Sequence, residues 1–241
     1  MASESSARGI NRRDLLTGLT ASLAGSLSGT ARSADTSTAA SPGTASCVLT
    51  PVTSEGPYYF DPKLIRSAIA EHEHGVPLTL DLRVVTVSGC SAIRNARVDV
   101  WHSNSRGIYS GYESQRGVGD SADRSAAGQT FLRGTQLTDR DGITHFRTIY
   151  PSWYYGRTPH IHFKVFLQPR EVAVSQIFFP DTVSDRIFAG SQDYIARSRG
   201  RDTYNENDMY ARSGRTGGAF CDVAPAGTGY RASVLIGIRD A

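Results

Sequence analysis

Residues 149–165 read Ile-Tyr-Pro-Ser-Trp-Tyr-Tyr-Gly-Arg-Thr-Pro-His-Ile-His-Phe-Lys-Val, so that Tyr154, Tyr155, Arg157 and the pair His160 and His162 fall within one turn and the segment after it. From His160 onward polar and apolar residues alternate and β-branched and aromatic types dominate, which predicts a strand entered from a Gly/Pro turn. Side chains two apart on a strand share a face. His160 and His162 can therefore aim at one ion while Ile161 turns towards a core. A His-x-His pair by itself reads first as the decoration of a polar surface. The neighbouring phenols shift the weight towards a metal, because phenolates are hard, anionic oxygen ligands suited to a hard trivalent cation.

Such a pair needs ligands from elsewhere in the chain. Residues 99–112, Asp-Val-Trp-His-Ser-Asn-Ser-Arg-Gly-Ile-Tyr-Ser-Gly-Tyr, describe a strand that ends in a polar, glycine-containing turn and then offers Tyr109. Taken singly, Tyr109 reads as a buried tyrosine with a satisfied hydroxyl rather than a ligand. Residues 53–61 carry a Gly-Pro turn and the cluster Tyr58, Tyr59 and Phe60, which either covers the core or lines an apolar substrate pocket together with Ile108. A second His-x-His, His72 and His74, lies in the charged run Ala-Glu-His-Glu-His and has no β-branched residue between its imidazoles, so it reads as a solvated linker.

The elements that must position these groups are mostly strands. Short alternating segments punctuated by turns are predicted at 77–88, 96–102, 131–138, 144–149, 160–167, 173–179 and 232–238, a series that describes an all-β fold, an antiparallel β-sandwich or barrel. Helical pattern is sparse, at 62–72 and in short turns near 184–189 and 193–196. Residues 197–218 are polar and rich in glycine and arginine, and read as a long surface loop.

The chain has 241 residues, 39% of them hydrophobic, and 24 glycines, enough for one globular domain with a tail. A formal net charge of +3, with no concentrated Lys/Arg run, argues against a nucleic-acid or membrane-surface partner. Residues 1–34 resemble a twin-arginine export signal: Asn-Arg-Arg-Asp-Leu-Leu at 11–16, a small apolar run, then Ala-Arg-Ser-Ala as a cleavage neighbourhood. That run is too short and too polar for a transmembrane helix. Residues 35–46 read as a Ser/Thr/Pro-rich linker and 47–241 as the mature domain. Three cysteines, Cys47, Cys90 and Cys221, imply one disulfide and one free thiol in an exported protein, with Cys47 expected in the bridge at the start of the domain. Their scatter argues against structural zinc.

The ordered set of motifs, Val98-Asp-Val-Trp-His with Gly-Ile-Tyr109, Arg133-Gly-Thr-Gln-Leu-Thr-Asp-Arg-Asp-Gly142, Phe146-Arg-Thr-Ile-Tyr-Pro-Ser-Trp-Tyr154 and Arg157-Thr-Pro-His-Ile-His162, resembles the intradiol ring-cleavage dioxygenases, the protocatechuate and catechol dioxygenase group. The resemblance runs from about residue 50 to 179. It implies a β-sandwich holding one Fe(III) through Tyr109, Tyr154, His160 and His162, with Arg157 and Gln176 in the active site. Tyr154 is preferred to Tyr155 because it occupies the fourth place of Pro-x-x-Tyr. The reaction implied is O2-dependent cleavage of a small aromatic diol between its hydroxylated carbons, giving a cis,cis-muconate-type diacid, with Tyr154 as base and Arg157 stabilising the electron-rich ring. The export signal places the chain with a smaller, secreted branch of the family, for which neither substrate nor oligomeric state carries over. Two rivals remain on the residues alone. One is a secreted β-sandwich binding module. The other is a zinc hydrolase using His160, His162 and His145.

Overall fold

The computed structural model describes residues 47–113, 115, 125–197, 200–214 and 220–239; the predicted export signal and linker lie outside them. Two four-stranded sheets face each other. One has the order β4 (Ile143–Ile149), β1 (Pro77–Thr86), β8 (Gly229–Ile238), β7 (Asp222–Ala226); the other runs β3 (Arg133–Leu137), β2 (Arg97–Trp101), β5 (His160–Leu167), β6 (Arg170–Phe178). The all-β sandwich is therefore as expected. All pairings between these strands are antiparallel except that of β1 with β8, which run parallel.

Strand alternation explains the core. Leu78, Leu80, Leu82 and Val84 of β1 and Ala232, Val234, Ile236 and Ile238 of β8 meet Val98 and Val100 of β2, Ile161, Phe163 and Val165 of β5 and Ile177 of β6. Every second residue of these strands is apolar, so a period of two delivers one continuous hydrophobic layer between the sheets.

Three expectations about elements change. Residues 62–72 are extended rather than helical: Leu64, Ser67 and their neighbours pair with Thr135 of β3 and Arg147 of β4 through Arg66 N–H to Thr135 O (3.0 Å) and Ile69 N–H to Arg147 O (2.9 Å). Backbone groups satisfied across the strand edges outweigh a weak local helical preference. Helices α1 (Asp181–Gly190) and α2 (Gln192–Ile195) lie where the sequence predicts helical turns. The segment that reads as a surface loop instead contains helix α3 (Met209–Gly214), and Asn205, Asp208 and Ala211 within it are buried. Strand β7 carries a proline and little alternation, which is why the pattern does not reveal it. Cys47 is bridged, to Cys90, while Cys221 is free and buried.

Candidate functional site

Cross-strand register builds the site. Arg133 of β3 stands opposite Trp101 of β2, Trp101 opposite His162 of β5, and His162 opposite Gln176 of β6. Directly opposed residues share a face, so these four side chains form a row on the side of the sheet away from the core. His160 and Lys164 belong to the same face of β5, because they lie two positions either side of His162. That face is polar, yet it is not solvated: His160, His162 and Lys164 are 1%, 2% and 6% exposed. A buried polar face needs partners for every group on it.

The cover is the segment 53–61, with its aromatic cluster. Gln176 Nε2 donates to Ser54 O (3.0 Å), Lys164 pairs with Glu55 and with Glu171 (2.9 Å), and Tyr59 donates its hydroxyl to Asp99 (2.9 Å). Gly56 makes the close approach possible. Its φ of 75° is left-handed, and a Cβ there would meet His162 Cε1 at 3.3 Å. Tyr58 then stacks on Tyr109 with ring centroids 4.7 Å apart. The indole of Trp101 lies flat against the His162 imidazole, at 4.9 Å and 10°.

Within this cover four donor atoms converge. His160 Nε2 lies 3.1 Å from His162 Nε2, 3.3 Å from the Tyr109 hydroxyl and 3.2 Å from the Tyr154 hydroxyl, and His162 Nε2 lies 3.2 Å from Tyr109. Tyr155, by contrast, is 73% exposed. The side chain of Tyr109 is carried on a fastened loop: its N–H donates to Gln115 Oε1 (2.7 Å), and Gln115 Nε2 returns a bond to its carbonyl (2.6 Å). Arg133 grips the next residue, donating to Ser110 Oγ and Ser110 O at 2.8 Å each.

Protonation fits metal binding. Burial, with the nearby Arg157 charge, holds both imidazoles well below the usual histidine range, so each is neutral. His160 Nδ1–H donates to Thr158 O (2.7 Å), which leaves Nε2 as a bare lone pair pointing into the cluster. His162 Nδ1 is buried without a partner. Burial pushes the Tyr109 phenol far up and the Tyr154 phenol up, the latter against the pull of Arg157. Lone pairs and phenolic oxygens crowded about 3 Å apart match what bonds of about 2 Å to one shared cation require, and a cation makes phenolates available at neutral pH. The donor set therefore suits a hard, highly charged metal ion.

Arg157 stands at the edge of the cluster. It donates from Nη1 to the Tyr154 hydroxyl (3.2 Å), from Nε to Asp208 (2.8 Å) and from Nη2 to Gln176 Oε1. Asp208 has no signal in the sequence beyond a carboxylate in a polar run.

Two of the sequence candidates go elsewhere. Ile108 packs with Ala126, Phe131, Leu132 and Ile149, apart from the cluster of Trp101, Tyr109, Tyr154, Tyr58 and Tyr59, because successive residues of an extended chain point to opposite sides. His145 sits on β4, in the other sheet, hydrogen-bonded to Asp81 (2.7 Å), so the three-histidine zinc arrangement is not assembled. His102, also buried, spends both ring nitrogens on Ser103 O (2.9 Å) and the Thr148 hydroxyl (2.7 Å), and burial pushes its pKa down to about 4.

Comparison with known proteins agrees with this arrangement. Residues 54–213 match the family model described as Dioxygenase. An intradiol ring-cleavage dioxygenase from Tetranychus urticae is 31% identical and superposes with a TM-score of 0.72 over 80% of this chain and 95% of that one. A hydroxyquinol 1,2-dioxygenase from Pseudomonas putida DLL-E4, 21% identical with a TM-score of 0.54 over 82% of this chain and 68% of that one, shares the fold. Among curated relatives, a chlorocatechol 1,2-dioxygenase from Cupriavidus pinatubonensis is 27% identical over 161 residues, 57% of this chain and 58% of the relative's length. Motif order, the cross-strand row and this breadth of similarity together make the chain a member of the intradiol ring-cleavage dioxygenase family.

Proposed function

We propose that this protein cleaves a catechol-type ring between its two hydroxylated carbons at a single Fe(III) held by Tyr109, Tyr154, His160 and His162, and retains both atoms of O2 in a cis,cis-muconate-type diacid. One observation carries the reading: two phenolic oxygens and two imidazole nitrogens crowd together at 3.1–3.3 Å in a buried pocket. Bound Fe(III) would draw electron density from a chelated diol and so make a ring carbon reactive towards O2.

The chain's own groups do the rest. The Tyr154 phenolate accepts a hydroxyl proton from the incoming diol, and Arg157 Nη1, already 3.2 Å from that oxygen, steadies it during the exchange. The guanidinium is permanently charged, so it also stabilises an electron-rich ring beside it. Gln176 fixes Arg157 from the opposite side. Tyr109, 0% exposed and with its backbone clamped by Gln115, would serve as the fixed phenolate ligand. Tyr58, stacked on Tyr109, forms an aromatic wall, and the 53–61 segment keeps bulk water from the imidazoles.

The protein acts after export. The twin-arginine pattern at residues 12 and 13 supports this, as does the Cys47–Cys90 disulfide, which suits an oxidising compartment. The purified, iron-loaded protein is expected to be red from phenolate-to-iron charge transfer and to consume O2 in an oxygen electrode with at least one of a panel of catechols. Tyr154→Phe is expected to bleach most of that colour and to lower ring opening by about 10²-fold or more. An unaltered visible band in the variant refutes the ligand assignment.

A further inference from the structure

The segment 200–211 does more than cross the surface. Asp208 is completely buried, and its carboxylate serves two structures at once. Oδ1 accepts from Tyr210 N–H (2.8 Å) and Ala211 N–H (2.9 Å), which caps the start of α3. Oδ2 faces the opposite way and accepts from Arg157 Nε–H (2.8 Å) and from Thr158 N–H (3.0 Å). Thr158 is the residue whose carbonyl receives His160 Nδ1–H (2.7 Å). One oxygen therefore holds the guanidinium beside Tyr154 and also the backbone N–H of Thr158, the residue whose carbonyl sets the tilt of the His160 imidazole.

The neighbours of Asp208 reinforce the same joint. Thr158 Oγ1 donates to Asn205 Oδ1 (3.0 Å) and accepts from Arg201 Nη2 (2.7 Å), while Asn205 Nδ2 donates to Phe179 O (2.7 Å) just beyond β6. Thr158 is 0% exposed, so every polar group it carries is committed to this contact or to His160. A carboxylate with four donors has no slack. Replacing either oxygen by a group that cannot accept leaves buried N–H groups facing nothing.

We propose that Asp208 is a positioning residue for both Arg157 and His160, so that a segment distant in sequence from the ligand motifs sets the geometry of the centre. The proposal rests on the metal reading given above. Removal of an outer hydrogen-bond partner of a metal-bound histidine commonly costs about 10–100-fold in activity or metal affinity. Asp208→Ser separates the two jobs of the carboxylate, since serine is a good helix cap but too short to reach Arg157 and Thr158. Arg212→Gly does the reverse: it weakens α3 at an exposed position and leaves the carboxylate in place.

Both variants and the unaltered protein are to be loaded with iron and compared for kcat, KM, the charge-transfer band and Tm. The expected result is a displaced band and a kcat lowered about 10–100-fold in Asp208→Ser, with a lowered Tm alone in Arg212→Gly. Should Asp208→Ser not fold, Asp208→Thr, also a helix cap and equally short, is read in the same assay with the same expectation. A coloured, active Asp208 variant matching the unaltered protein overturns the proposal by itself, as does an Arg212→Gly variant that loses kcat equally. If the unaltered protein is colourless and opens no catechol ring, the functional reading and this proposal fall together.

Discussion

The chain carries two His-x-His pairs, and their fates differ completely. His160 and His162 flank Ile161 on a central strand, buried on both faces. His72 and His74 flank Glu73 in a turn where Glu71 has a left-handed φ of 53°, and the His72 side chain is 65% exposed. His72 meets Glu71 at 3.9 Å and Glu73 at 3.6 Å, and the Phe131 ring edge-on at 5.8 Å. Spacing is identical in the two pairs. What differs is the residue between them and what covers them: an apolar residue pins the first pair to a sheet, and a second layer of chain then closes over the imidazoles. Two histidines become a ligand pair only when the backbone fixes their direction and burial keeps them neutral.

The sharpest way to break this contrast is at the buried pair. His162→Ala is expected to remove iron binding, the visible band and ring opening together, as measured by iron content and absorbance after loading. Retention of stoichiometric iron in that variant would mean that the two pairs are not functionally distinct. A smaller effect is expected from the cover. Gly56→Ala places a Cβ 3.3 Å from His162 Cε1 at a φ of 75°, and is expected to cost about 1–3 kcal/mol in denaturant unfolding, with a kcat falling in parallel as His162 shifts. A Gly56→Ala variant as stable and active as the original would show that the 53–61 segment does not press on the ligand strand. The least effect belongs to the exposed pair. His72→Ala combined with His74→Ala is expected to leave stability within about 0.5 kcal/mol and iron content unchanged. A loss of bound iron there would give the exposed pair a role that its surroundings do not suggest.

Much of this is legible in the chain because strand periodicity is local. The strand 160–167 has the ends that alternation predicts, and the core residues of β1, β2 and β8 follow from alternation alone. Local signals mislead where backbone pairing comes from far away. Residues 62–72 have helix-compatible composition but are drawn out along Thr135 and Arg147, and residues 203–211 look like solvent-loving loop while three of their polar side chains, Thr203, Asn205 and Asp208, are buried. Adjacency groups Ile108 with Tyr109, whereas the extended backbone sends the two apart.

The sequence by itself determined the family, the two-sheet architecture and the residue types able to hold a hard cation, because motif order and a period of two are properties of the chain. Only the tertiary structure decided that Trp101, His162 and Gln176 stand in one row, that Gly56 and Tyr58 close over that row, and that Asp208 braces Arg157 and Thr158, the latter from 50 residues away in sequence. These are cross-strand and loop-to-strand contacts. Register and close packing set them, and neither is encoded in any short window of residues.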